Sequence, residues 1–112
     1  MNYWIWIPIL LFFAWMIWQR RGLSTEKISL LMARGAQVVD VRSPAEFRGG
    51  HVPGSKNIPL DQIQTRSKEL DPACPVLLCC ASGSRSAMAV SLLKRQGFTD
   101  VHNAGSWTAL AS

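Results

Sequence analysis

The chain is 112 residues long and 48% hydrophobic, room for one small domain and little else. Its net charge of +5 comes from basic residues such as Arg34, Arg48, Lys56, Arg66 and Lys94 that are scattered, with no stripe or interleaved aromatics, which argues against a nucleic-acid partner. Three cysteines within seven residues, Cys74, Cys79 and Cys80, are an odd number without zinc-ligand spacing, so neither a disulfide framework nor a metal site is expected.

The first nineteen residues carry no charged side chain. As a helix they would span about 28 Å, close to the thickness of a bilayer's hydrocarbon core. Tyr3, Trp4 and Trp6 lie at one end and Trp15 and Trp18 at the other, as interfacial aromatic belts would place them. Pro8 is better tolerated in a lipid-facing helix than in a soluble one. A signal peptide would need a basic start and a small-residue cleavage site, and an interfacial helix would need a polar face. Too few residues remain to bury the segment as a core helix. Residues 1–20 therefore read as one transmembrane helix. Arg20 and Arg21 behind it put the following domain in the cytoplasm, and with Lys27 they face anionic head groups. The expected location is the cell inner membrane, single-pass, with the lipid bilayer as a partner.

Residues 24–112 read as the soluble domain. Ser24 or Thr25 caps a helix with Ile28, Leu31 and Met32 on one face, ended by Gly35. Val38 to Val41 is a short buried strand. Ser43-Pro44 provides the cap and first residue of a helical turn through Phe47. Loop residues 49–54 lead to a brief strand, Lys56 to Ile58. Leu60, Ile63, Ser67 and Leu70 recur at helical spacing up to Asp71-Pro72. Val76 to Cys80 is the next strand, Ser84 to Gln96 the next helix, and Val101 to Asn103 the last strand. This alternation implies an α/β fold, a parallel sheet covered by helices on both faces, with ligands at the strands' C-terminal ends. Asp40, Arg42 and Cys80 all fall at such ends.

The junction Cys80-Ala81-Ser82-Gly83-Ser84-Arg85 carries the chemistry. Small residues between a strand and a helix let successive backbone N–H groups turn inward, while the helix directs its positive end at the same point. Those groups favour the thiolate, so Cys80 reads as a nucleophile rather than a buried apolar residue. Arg85 at a helix start makes electrostatic sense where an anion binds as well. Cys79, adjacent in the strand, points to the opposite face and reads as core; Cys74 reads as a loop thiol.

Four motifs occur here in the order found in rhodanese domains: Asp40-Val41-Arg42, Gly50-His51-Val52-Pro53-Gly54-Ser55-Lys56-Asn57-Ile58-Pro59, Cys80 to Ser86, and Asn103-Ala104-Gly105-Ser106-Trp107. Residues 24–112 thus resemble a single-domain rhodanese. The resemblance implies sulfane-sulfur transfer without a cofactor. A small anionic donor such as thiosulfate gives its outer sulfur to Cys80, and the persulfide passes it to cyanide or a thiol. It further implies that the amides of Ala81, Ser82, Gly83, Ser84 and Arg85 hold the anion, that Arg85 orients the donor, and that Ser86 adds a hydroxyl. Asp40 and Arg42 would support the loop, His51 would belong to a structural turn, and Trp107 to the core.

Two departures from that family stand out. Ala81 occupies a position where many active relatives carry a second basic residue, and the sequence stops soon after Trp107, leaving a short final helix or none. Phosphatase or arsenate-reductase chemistry on a related fold uses five residues between cysteine and arginine, and the four present here make a cradle too tight for a five-coordinate phosphoryl group. A membrane-tethered persulfide carrier serving a protein sulfur acceptor, or a rhodanese-like interaction module, stays open as an alternative.

Overall fold

A computed structural model describes residues 2–20 and 23–111. Arg21, on which part of the expected orientation rests, and Ser112 lie outside the described residues. The apolar N-terminal segment folds as a 3-10 turn, Tyr3–Trp6, followed by helix α1, Ile7–Arg20. Pro8 explains the break. It has no N–H to give the Trp4 carbonyl, so Ile7 closes a tighter bond to that carbonyl instead. The α-helix proper is 14 residues, about 21 Å. Among the described residues no helix is long and apolar enough to cross a membrane, so the expected transmembrane helix over 1–20 is without support from any single helix. The segment's large apolar side chains from Tyr3 to Ile17 are nevertheless exposed, apart from the half-buried Met16.

Helix α2, Thr25–Ala33, starts at Ser24, whose hydroxyl accepts the Lys27 amide at 3.3 Å. Strand β1 is Gln37–Asp40, helix α3 Pro44–Arg48, strand β2 Lys56–Asn57 and helix α4 Ile63–Arg66. Strand β3, Val76–Cys80, leads into helix α5, Ser84–Arg95; strand β4, Val101–Ser106, and helix α6, Trp107–Ala111, follow. The expected helix from Leu60 to Leu70 is instead a short α4 flanked by 3-10 turns at Leu60–Gln62 and Ser67–Glu69. Three-residue steps from Leu60 to Ile63 and from Ser67 to Leu70 suit the tighter helix. The last strand runs on to Ser106 because a bulge opposite Leu78 and Cys79 accommodates an extra residue, and the final helix is short but present.

The sheet has four strands in the order β2-β1-β3-β4, all parallel. β3 is buried along its whole length, as an inner strand covered on both faces must be. Val76, Leu78 and Cys80 face one cluster with Val39, Val41, Ile58, Ile63, Ala89 and Leu93. Leu77 and Cys79 face another with Leu31 and Ala104, against which Ile28, Trp107 and Leu110 pack. Each fully buried Leu or Ile contributes about 1.5–3 kcal/mol relative to an exposed one. After β1 the chain steps outward to β2, then returns to the other side of β1 to form β3. That reversal opens a crevice between the C-terminal ends of β1 and β3, where α/β folds of this kind take their ligands.

Candidate active site

Cys80 closes β3 at that crevice, and its side chain is fully buried in the turn that follows. Gly83 makes the turn possible. Its φ of +104° lies in the left-handed region, and it caps α5 without a side chain in the way. The turn points the Gly83 amide at the Cys80 sulfur, 2.9 Å away, and brings the Ser86 hydroxyl to 3.4 Å. Burial pushes the thiol's pKa up, but the Ser86 hydroxyl and the amides of Ser86, Gly83 and Ser82 outweigh it and leave the pKa lowered. Of the amides expected to hold an anion, from Ala81 to Arg85, that of Gly83 is bonded to the sulfur, and those of Ser82 and Ser86 also favour the thiolate. Ala81, Ser82 and Ser84 are exposed around the turn, the two serine hydroxyls 3.4 Å apart.

Neighbouring Cys79 has the opposite fate. It faces the second core cluster, where burial, together with the Asp40 charge, pushes its pKa up to about 12. One thiol of the adjacent pair is prepared for ionisation and the other is held neutral.

Asn103, reached from β4, locks the turn from behind. Its amide donates to the Gly83 carbonyl at 3.0 Å, and its oxygen accepts from the Ser86 hydroxyl at 2.6 Å and the Gly105 amide at 2.9 Å. This residue was legible only as part of a motif, because its contact with the loop depends on how β3 and β4 pair.

The Arg85 guanidinium is tied at two points to Glu46, Nη1 to Oε1 at 2.7 Å and Nη2 to Oε2 at 3.0 Å, while the side chain remains about a third exposed. Glu46 sits in the first turn of α3, where Ser43 and Glu46 form a capping box. The Arg85 guanidinium, helped by the Ser43 amide, holds the Glu46 carboxyl down to about 2. The spacing Ser43-x-x-Glu46 signals the cap in the sequence. The pairing with Arg85, 39 residues away, carries no local signal. Beside Arg85 opens a groove of about 500 Å³, walled by Val41, Pro44, Pro59 and Leu60, with Asp61 and Gln62 also lining it.

Asp40 and Arg42 form a buried ion pair, 2.7 Å between Nη2 and Oδ2, with further bonds from Nε and the Arg42 amide. The guanidinium also donates to the Gly50 carbonyl at 2.7 Å and lies 4.7 Å from the Trp107 ring centroid. Asn57 ties down the Asp40 and Arg42 carbonyls. These contacts hold the loop after β1 in place and go to groups other than the Cys80 sulfur. His51 stacks on Phe47 and donates from Nδ1 to the Phe47 carbonyl at 2.8 Å, a turn-stabilising contact.

Comparison with known proteins gives the family in which this fold and this cysteine loop occur together along one chain. The rhodanese-like domain profile matches residues 24–112. The thiosulfate sulfurtransferase GlpE of Pseudomonas aeruginosa is 33% identical over 81 residues, 72% of this chain and 74% of that protein. The uncharacterized protein YqhL of Bacillus subtilis is 44% identical over 70 residues, 62% of this chain and 56% of that protein. YrkF of the same organism, named as a candidate sulfur carrier protein, is 39% identical over 66 residues, 59% of this chain but 36% of its own length. Among solved structures, the human single-domain sulfurtransferase TSTD1 superposes with a TM-score of 0.65 at 27% identity, covering 80% of this chain and 93% of that one. A rhodanese from E. coli with bound anions gives 0.62 at 33% identity, covering 65% and 88%. With the match beginning at Ser24 and extending through both the sheet and the cysteine loop, the chain belongs to the rhodanese-like family.

Proposed function

We propose that this chain is a sulfurtransferase that carries sulfane sulfur on Cys80. The observation that carries the reading is the anion cradle around the Cys80 sulfur: the Gly83 amide at 2.9 Å and the Ser86 hydroxyl at 3.4 Å, at the start of α5. With thiosulfate as donor, the Cys80 thiolate attacks the outer sulfur. The donor's S–S bond breaks, and sulfite leaves with the electron pair. A terminal anionic sulfur on Cys80 then takes the place of the thiolate in a site already built to stabilise one. An acceptor thiolate or cyanide attacks that terminal sulfur and releases the Cys80 thiolate. No base is needed, since the attacking group is ionised beforehand.

The exposed apolar run from Tyr3 to Ile17 supports a second part of the proposal, that the N-terminal segment anchors the domain to the cell inner membrane as a single pass with the domain cytoplasmic. The 3-10 turn and α1 together cover the 18 residues from Tyr3 to Arg20, about 29 Å end to end. Lipid would cover side chains that the domain's own core does not include.

The test is mass spectrometry of the intact chain after exposure to a sulfur donor, beside Cys80→Ser. A gain of one sulfur, about 32 Da, that vanishes in the variant and is removed by cyanide is the expected result. A folded, reduced protein that gains nothing from any donor sinks the reading.

A further inference from the structure

The charges around the Cys80 turn are already matched. Arg42 is forked onto Asp40 and buried with it. Arg85, the arginine of the turn itself, is forked onto Glu46. Ala81, exposed beside the cysteine, adds no charge. Among the described residues at the turn, what remains to attract an anion is the Gly83 amide on the sulfur and the start of α5.

We infer that Glu46 is a specificity-determining residue: by holding Arg85 in a two-point ion pair at the rim of the Cys80 turn, it disfavours dianionic donors such as thiosulfate relative to monoanionic hydropersulfides. The inference rests on Cys80 being the sulfur-accepting nucleophile. Glu46 is not needed against Arg85 to hold its own helix, because its carboxylate also accepts from the Ser43 amide at 3.2 Å and Ser43 accepts in return. An ion pair this exposed adds little to stability, so its larger consequence is electrostatic. A dianion must either displace Glu46 from Arg85 or bind with a carboxylate nearby. A unit charge about 6 Å from a dianion changes its binding about tenfold even at the dielectric constant of water. A hydropersulfide, R–S–S⁻, escapes half of that penalty. Its transfer balances without any oxidant: the Cys80 thiolate bonds to the terminal sulfur, the donor's S–S bond breaks, and R–S⁻ leaves with the electron pair.

The experiment compares the rates at which the full chain in detergent is loaded at Cys80 by thiosulfate and by cysteine hydropersulfide, at low and high salt. Glu46→Gln keeps a residue able to complete the capping box. It is expected to speed thiosulfate loading about tenfold and hydropersulfide loading about threefold at low salt, so that their ratio rises about threefold, with most of the gain lost at high salt. Ala81→Arg, on an exposed side chain, should raise the same ratio by supplying an unmatched cation, and it serves if the Glu46 variant does not fold. An unchanged or lowered ratio in these variants, or a parallel fall with both donors, overturns the role assigned to Glu46 while leaving sulfur transfer standing. Wild-type protein that is loaded by neither donor overturns the sulfurtransferase reading, and this inference with it.

Discussion

Ser86 has one proton and three neighbours: the Cys80 sulfur at 3.4 Å, the Gly83 carbonyl at 3.1 Å and the Asn103 oxygen at 2.6 Å. When Cys80 is a thiol, Ser86 can accept from it and donate to Asn103. When Cys80 is an anion, the hydroxyl can turn and donate to the sulfur instead. Neither acceptor is then left unsatisfied, because Gly83 still receives the Asn103 amide and Asn103 still receives the Gly105 amide. The turn therefore changes charge state by rotating a single hydroxyl. Replacing Ser86 by Ala should move the midpoint of the pH–rate profile for Cys80 alkylation upward, and lower the rate at pH 6.5 by about tenfold, the worth of one hydrogen bond to a charged group. The sign for stability follows from the lowered thiol pKa. Its stabilising contribution is present above the unfolded thiol's pKa and fades as pH falls through the lower folded value, so the variant's stability deficit should be larger at pH 9 than at pH 6. A profile with the wild-type midpoint would show that the amides alone set the ionisation.

At the scale of elements, the loop after β1 is held by a buried charge pair where another fold would use apolar packing. Asp40 is fully buried and Arg42 nearly so. Removing one partner strands the other, so Asp40→Ala should cost about 3–5 kcal/mol in a denaturant titration. Replacing both partners with residues of similar volume, Asp40→Leu with Arg42→Met, should recover most of that loss. If the double variant is as unstable as the single one, the bonds from Arg42 to Gly50 and its stacking on Trp107 matter more than the pair. These elements also show what the sequence discloses. The β1 and β3 strands, the Ser24 and Ser43 caps and the Cys80-to-α5 junction are written in local patterns: apolar runs, capping residues, a cysteine before small residues. The broken helix from Leu60 to Glu69 is not, because 3-10 and α spacings differ by less than a residue per turn. The Arg85–Glu46 and Asn103–Gly83 contacts are not legible either. Each joins segments brought together only by the order of the strands, so its partner is decided by topology and not by neighbouring residues.

At the scale of the whole molecule, one end of the chain presents a surface that water does not favour. Leu10, Leu11, Phe12 and Phe13 are each at least 55% exposed, and together with the tryptophans around them they form an apolar surface far larger than scattered residues would. The domain does not need it, since both faces of the sheet are covered by α2, α4, α5 and α6 and their neighbouring loops. Tryptophans near both ends of the segment and the absence of charge from Tyr3 to Ile17 fit the proposed contact with lipid. The full chain should therefore float with liposomes in a density gradient. Arginine at Leu11 and Phe13 would place two charges near the segment's middle, each costing about 2.5–3.5 kcal/mol on the insertion scale, and should leave the chain at the bottom of the gradient. The same variant should still take up sulfur at Cys80, because neither substitution touches the β3 turn. A wild-type chain that stays in the aqueous fractions as a dispersed monomer would remove the membrane from the proposal and leave the sulfur chemistry where it is.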